Sequence, residues 1–178
     1  IVLVLGTYRR RHTPQARLSA YAFLGGYLFA WTAFSAVAAL AQVVMHRGAV
    51  MSPDMRFASS AIASLVLVAA GLYQWLPIKH VCLSHCRSPL ALLTLYWREG
   101  VGGAFSMGLR HGLFCLGCCW LLMALLFVVG VMNLLWVALL AALVVVEKLA
   151  PKGAVIGRVA GAVMLAWAIY LLVSRPAL

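Results

Sequence analysis

The amino-acid sequence predicts an all-α, polytopic transmembrane helix bundle. Of its 178 residues, 66% are hydrophobic and only 10% are charged, and the mean hydropathy is +1.05. A chain of this composition cannot cover itself with a water-facing surface. Apolar segments close to the roughly 20 residues that cross a bilayer as a helix recur, whereas alternating ten-residue barrel strands do not. We therefore expect one integral membrane domain over residues 1–178, surrounded by the lipid bilayer.

The predicted helices are taken in chain order. Residues 1–6 are apolar and stop before the basic stretch TYRRRHTPQAR, which is typical of the tail of a helix whose beginning is missing, so we expect an incomplete N-terminus. Residues 112–147 are too long for one span, because a single helix over them would measure roughly 54 Å against a hydrocarbon core of about 30 Å. We place a break at Gly130–Asn133. Five full spans then follow the N-terminal tail, at 18–45, 57–78, 112–131, 133–148 and 154–173.

The longest predicted loop, residues 79–111, contains a further short helix. Ser88 and Pro89 are favourable N-cap and first-turn residues, and Trp97 suits the headgroup layer. We predict an interfacial or re-entrant helix near 89–98. The glycines that follow it, from Gly100 to Gly108, are expected to allow turns or close backbone packing.

The basic residues favour one orientation of this bundle. Of the 14 Lys and Arg residues, the predicted loops place eleven on one side of the membrane and three on the other. Lys79 is among the eleven. The positive-inside rule identifies the side with eleven as cytoplasmic. The net charge of +11 is then explained by this bias and by contact with anionic headgroups, so no nucleic-acid partner is expected. We expect Glu147 to pair with Lys148 or with a loop arginine.

Eight soft-metal ligands lie within forty residues, and they include all five cysteines of the chain. The clusters are KHVCLSHCRSP and RHGLFCLGCCW. A helix over 111–119 would place its ligands within an arc of roughly 100°, and Cys82 and Cys86 would also share a face. Thiolate and imidazole ligands match copper(I) first, with zinc or an iron–sulfur centre as alternatives. The predicted metal ligands are Cys82, His85, Cys86, His111, Cys115, Cys118 and Cys119.

Other kinds of site are disfavoured by what the sequence contains. The chain has only three acidic residues, so a carboxylate-bridged di-iron site is not expected. It also has no phosphate-binding loop, no dinucleotide fingerprint and no Ser/His/Asp set with a usable carboxylate. Hydrolase and kinase activities are therefore disfavoured, and the residues do not identify a catalytic group.

The stretch from about residue 50 to 153 resembles a bacterial family of unknown function described as predicted metal-binding integral membrane proteins. The resemblance is carried by MSPDM, AGLYQWLPIKHVCLSHCRSPL, GAFSMGLRHGLFCLGCCW and EKLAPKG. It implies an all-helical membrane protein that binds metal, located in the bacterial inner membrane, but neither substrate nor reaction. The positions that match the family are Cys82, Cys86, Arg87, His111, Cys115, Cys118 and Cys119.

Three functions remain as hypotheses. The first is a non-enzymatic protein that binds copper(I) through a Cys/His cluster near the cytoplasmic face, for metal handling or for metallation of an accepting protein. The second is a membrane thiol–disulfide or quinone oxidoreductase that uses Cys82 with Cys86 and Cys115 with Cys118. It fits less well, because the reducing cytoplasm disfavours stable disulfides. The third is a small scaffold subunit of a larger membrane metalloprotein complex.

Overall fold

The structure is a computed structural model that describes residues 14–48, 57, 59–87, 100–130 and 132–174. Its helical elements confirm the predicted all-α class, and no extended strand occurs in these ranges. In chain order the described helices are α1 (Pro14–Arg47), α2 (Ser60–Tyr73), α3 (Pro77–Arg87), α4 (Gly100–Ala124), α5 (Leu126–Val129), α6 (Leu134–Leu149) and α7 (Gly153–Ser174).

The prediction of five full spans is wrong. Among the described residues, three stretches are long and apolar enough to cross a bilayer, namely Arg17–Arg47, Gly100–Val129 and Gly153–Ser174. Helices α2 and α3 would make a fourth only if they are one span broken by their 66° bend. Helix α6 has 16 residues, or about 24 Å at 1.5 Å per residue, which is short of a hydrocarbon core of about 30 Å. An apolar segment in the sequence therefore does not always correspond to a helix of spanning length.

Two predicted boundaries also move. The predicted span 57–78 ends early, because the chain turns at Gln74–Leu76 and Pro77 starts α3. The predicted span 112–131 begins too late, because α4 already starts at Gly100. The glycines from Gly100 to Gly108, which were expected to allow turns or close backbone packing, lie inside this helix, and Gly108 shows the close packing. The predicted N-terminal tail at 1–6 and the helix near 89–98 lie outside the described residues.

The predicted break between the third and fourth apolar segments is present. Gly130 adopts a φ of 95°, a left-handed value that strains residues with a Cβ, and its amide donates to the carbonyl of Leu126. Asn133 then caps α6, because its side chain accepts a hydrogen bond from the backbone amide of Trp136 at 3.4 Å. The chain therefore leaves one helix and enters the next within this short stretch, although Val131 is not among the described residues.

The chain divides into two compact units. Unit 1 contains the described residues of 1–38 and 81–118, and unit 2 contains those of 39–80 and 119–178.

In unit 1, α1 and α4 pack backbone against backbone. A Cβ atom on Gly108 would overlap the carbonyl oxygen of Phe23, and one on Gly26 would overlap the carbonyl oxygen of Phe105. One turn further along α4, a Cβ on Gly112 would lie 2.7 Å from the Cβ of Ala30. Small residues four positions apart on both helices thus allow the approach that is characteristic of GxxxG-type packing.

In unit 2, α7 packs mainly against α2 and also contacts α6. The crossing with α2 again depends on small residues, since a Cβ on Gly161 would lie 2.8 Å from the carbonyl oxygen of Gly71. Phe57 joins this unit through a hydrogen bond from its amide to the carbonyl of Phe127 at 2.8 Å. Dispersion contacts between closely approaching helices therefore organise both units.

Unit 2 also contains a buried ion pair that the sequence analysis does not predict. The Lys79 ammonium donates to Glu147 Oε2 at 2.7 Å and also to Gln74 Oε1, and each of these three side chains is at least 97% buried. A Cβ on Gly157 would lie 3.0 Å from the Glu147 carboxylate, so the backbone of α7 covers the pair. Lys79 is thus not a loop residue, and Glu147 pairs with this buried helical lysine, a partner that the sequence analysis did not predict.

The glycine contact in unit 1 can be tested with a matched pair of substitutions. Gly108→Ala should destabilise the protein, by about 1–3 kcal/mol, because the added methyl group meets backbone that must move. Gly102→Ala, in the first turns of the same helix, should be neutral or slightly stabilising, because nothing lies within 4 Å of its Cβ position. Thermal unfolding in detergent measures both, and equal midpoints would contradict the proposed packing.

The buried ion pair makes a separate prediction. Lys79→Met should cost roughly 3–5 kcal/mol, because it leaves a buried carboxylate without its cation. Adding Glu147→Leu should recover most of this loss, since the remaining charge is then removed as well. Lys152→Met, at an exposed lysine, is the control. Chemical unfolding measures all three, and a double variant no more stable than Lys79→Met would exclude this account of the pair.

Candidate metal centre

The candidate centre lies in unit 1, where α3 and α4 run antiparallel. Three contacts at successive positions define this register. Cys82 Sγ lies next to Gly117, the ring of His85 stacks on the ring of Phe114, and Cys86 lies with His111 and Cys115. As the residue number rises along α3, that of its neighbour falls along α4. The two Cys/His clusters of the sequence therefore face each other within one unit.

Three soft ligand atoms converge at one end of this contact. The Sγ atoms of Cys86 and Cys115 and a ring nitrogen of His111 all lie within 4.8 Å of one another. Cys115 and His111 are each 4% exposed, and Cys86 is half-buried. The distance from His111 Nε2 to Cys115 Sγ is 3.9 Å. No other group of three His, Cys, Asp or Glu ligands comes this close within the described residues.

Cys86 is the ligand that distinguishes this group from an ordinary pair of helical neighbours. His111 and Cys115 are four residues apart on one helix, so they would be neighbours in any protein that is helical there. Cys86 comes from a different helix and is separated from Cys115 by 29 positions in the sequence. Its convergence with the other two requires the tertiary packing of α3 on α4.

Helix α1 packs aromatic rings against His111, a contact that was not predicted from the sequence. The rings of Phe23 and Tyr27 have centroids 6.1 and 5.9 Å from that of His111, both tilted relative to it by about 35°. His111 Nδ1 is buried and has no hydrogen-bond partner within the described part of the chain. Because Phe23 and Gly112 also belong to the close contact between α1 and α4, the packing of those helices sets the orientation of the imidazole ring.

The other four predicted ligands do not belong to the group of three. His85 Nδ1–H donates to the carbonyl of Val81 at 2.9 Å, which fixes the ring and leaves Nε2 as the acceptor nitrogen of the neutral form. Its ring stacks on Phe114 with centroids 4.6 Å apart. Cys118 is buried, and its thiol donates to the carbonyl of Cys115 at 3.1 Å. Cys82 is half-buried and Cys119 is buried, and no disulfide joins any of the five cysteines.

The structure thus brings together Cys86, His111 and Cys115 of the seven predicted ligands, and it places His85, Cys82, Cys118 and Cys119 outside that group. The cluster His111–Cys119 lies inside α4 rather than at a helix end, which the position of Gly100 as the helix start explains. The sequence analysis did not predict that α1 packs against His111. The spacing of small residues at Gly26 and Ala30 indicates a close helix contact on α1, but it does not specify the partner helix.

This arrangement fits metal binding. A metal about 2.3 Å from sulfur and about 2.0 Å from nitrogen places those two ligand atoms about 3.7 Å apart in a trigonal site, close to the 3.9 Å observed. Two sulfurs of the same site would lie about 4.0 Å apart, within the 4.8 Å limit. Small rotations of the side chains would therefore complete a three-ligand site. Two thiols and an imidazole are soft or borderline ligands, which match copper(I) or zinc.

Comparison with known proteins identifies the family. The sequence model of the PpoB2 family, described as a copper chaperone, matches residues 1–171. The chain therefore belongs to this family. No curated protein and no solved structure matches the chain. The family and the Cys/His cluster together support copper binding and metal handling.

Proposed function

We propose that this member of the PpoB2 family is an integral membrane copper chaperone that binds one copper(I) ion at Cys86, His111 and Cys115 and passes it to a metal-accepting protein. The observation that carries the proposal is the convergence of three soft ligand atoms from two helices within 4.8 Å. The family description names copper as the metal that such proteins handle.

The ligand set favours copper(I) over the other candidate metals. Zinc in a structural site almost always takes four ligands, whereas the described part of the chain supplies a group of three. Thiolates suit soft metals such as copper(I) better than hard ions, and none of the described residues of unit 1 is an aspartate or glutamate that would suit a harder ion. Copper is the cargo of this site rather than a fixed cofactor, so it must be held firmly and still be released.

The surroundings of the ligands suit both requirements. His111 is buried against the aromatic rings of α1, and Cys115 is buried as well, which would exclude water and oxidants from the ion. Cys86 is the least buried of the three ligands, so the ion would be exchanged first through this residue. Ligand exchange would begin at Cys86 and end when the buried ligands release the ion.

Copper binding can be measured directly. The purified protein, kept reduced in detergent, should bind one equivalent of copper(I) in competition with a chromophoric chelator, and X-ray absorption should show two sulfurs and one nitrogen. Cys86→Ser should weaken binding by roughly 100-fold or more, because loss of a ligand costs at least as much as loss of an outer-shell partner. Cys119→Ser, at a buried cysteine outside the group of three, is the matched control and should bind as the wild type does.

Absence of stoichiometric copper(I) would refute the function, and so would binding that is equally sensitive to Cys86→Ser and Cys119→Ser. A preference for zinc with four ligands, measured in the same competition, would instead support a structural metal site.

We further propose that the protein resides in the bacterial inner membrane with the centre near the cytoplasmic face. The apolar composition and the three helices of spanning length and composition support a membrane location. The cytoplasmic side is supported by chemistry, because a reducing compartment keeps thiols available for copper(I). The count of basic residues supports it less than expected, since it assumed five spans and placed the buried Lys79 in a loop.

The orientation can be tested by labelling with a membrane-impermeant maleimide. Cys86 should react in inverted membrane vesicles and stay unmodified in intact spheroplasts, because the half-buried thiol would face the cytoplasm. Cys119 is 1% exposed and should react in neither preparation until the protein is denatured. Labelling of Cys86 in spheroplasts would reverse the orientation and favour a thiol oxidoreductase instead.

A further inference from the structure

A second pair of thiols lies beside the three-ligand group. Across the contact between α3 and α4 in unit 1, Cys82 lies against Gly117, which is the chain neighbour of Cys118. Cys82 is half-buried and Cys118 is 2% exposed. Neither belongs to the group of three ligands, so the metal centre described above does not account for their pairing.

Gly117 keeps this pair close together. A Cβ at position 117 would lie 2.9 Å from Cys82 Sγ, closer than such atoms approach in proteins, so any side chain there would displace the thiol. The absence of that side chain seats Cys82 against the backbone of α4, next to Cys118. Cys118 is also held in place, because its thiol donates to the carbonyl of Cys115 at 3.1 Å.

The pair lies one helical turn from the three-ligand group. Cys82 precedes Cys86 by four residues on α3, and Cys118 follows Cys115 by three on α4, so each thiol of the pair is the helical neighbour of a ligand. Because the two helices are antiparallel, both steps lead in the same direction. The spacing between the positions is about 5–6 Å, a distance over which an ion can be passed by successive ligand exchange.

We infer that Cys82 and Cys118 form a second, two-thiolate copper(I) position to which the ion moves from Cys86, His111 and Cys115. This inference rests on the proposed function. The four cysteines and His111 then act as a two-step path along the seam between α3 and α4, rather than as one site of many ligands.

The step is a ligand exchange without oxidation or reduction. Copper–sulfur bonds form to Cys118 and then to Cys82, while the bonds to His111, Cys115 and Cys86 break. The ion remains copper(I) throughout. Each thiol of the second pair gives up its proton on binding, and the thiolates of Cys86 and Cys115 take up two protons when the ion leaves. For Cys118, binding also breaks its hydrogen bond to the Cys115 carbonyl.

The inference is tested by separating affinity from transfer rate. The wild-type protein and Cys82→Ser are each loaded with one equivalent of copper(I), and transfer to a soluble chromophoric chelator is followed by stopped flow. Cys82→Ser should bind the ion within about threefold of wild-type affinity but transfer it at least ten times more slowly. Cys82 is half-buried and the substitution is nearly isosteric, so the fold should persist. Cys119→Ser is the matched control and should transfer at the wild-type rate.

A second variant isolates the second position. In His111→Ala/Cys115→Ser, the remaining copper(I) should show sulfur-only coordination by X-ray absorption, and adding Cys118→Ser should abolish this binding. Transfer at the wild-type rate by Cys82→Ser would overturn the inference, as would sulfur-only binding that survives the loss of Cys118. A disulfide between Cys82 and Cys118 that turns over without copper would also overturn it.

These results separate the inference from the proposed function. If the wild type binds no copper(I), or binds it independently of Cys86, both fail. If binding depends on Cys86, His111 and Cys115 while loss of Cys82 changes neither affinity nor rate, the chaperone function stands and only the second position is excluded.

Discussion

The close approach of α1 and α4 in unit 1 is the constraint on which the candidate centre depends. Gly26 and Gly108 bring two backbones together where any side chain would separate them. In an apolar environment helix association gains little from the hydrophobic effect and relies on such contacts. His111 lies between Gly108 and Gly112 on the same helix, so the contact that joins the helices also seats the imidazole against Phe23 and Tyr27. Packing and ligand orientation therefore have the same cause.

The two kinds of polar group inside this apolar chain are handled differently. In unit 2, Lys79 and Glu147 neutralise each other, and Gln74 adds a further acceptor, so the buried charges have partners. In unit 1, the buried groups are thiols and imidazoles, which can be buried in their neutral forms at much lower cost than ionised groups. They become ionic ligands only when a cation arrives and compensates the charge of the thiolates. A soft metal site can thus be built in apolar surroundings without permanently buried charge.

The sequence allowed the fold class and the chemistry of the ligands to be predicted, but not their grouping. The composition is sufficient to predict an all-α chain. The break between the helices at Gly130–Asn133 was also predictable, because it depends on local features, namely the glycine conformation and the capping by Asn133. Helix lengths were not predictable. Pro77 starts a new helix inside an apolar segment, and α4 continues through glycines that are needed for its close packing on α1. Cys86, His111 and Cys115 were all among the seven predicted ligands, but which three of the seven converge depends on tertiary contacts that no local pattern encodes. The same is true of the partnership of Lys79 with Glu147.

A protein that delivers copper faces opposing demands, because tight binding and rapid release cannot both follow from one rigid set of ligands. A saturated four-ligand site would hold the ion well but would require two or more bonds to break before an acceptor could bind. The group here has three ligands, one of them half-buried, and neighbouring thiols one helical turn away. Each bond that breaks can then be replaced by another to a nearby sulfur, so the ion is never stripped of its ligands. The proposed exchange accounts for the clustering of Cys82, Cys86, Cys115 and Cys118 along one helix contact, which a single structural site would not require.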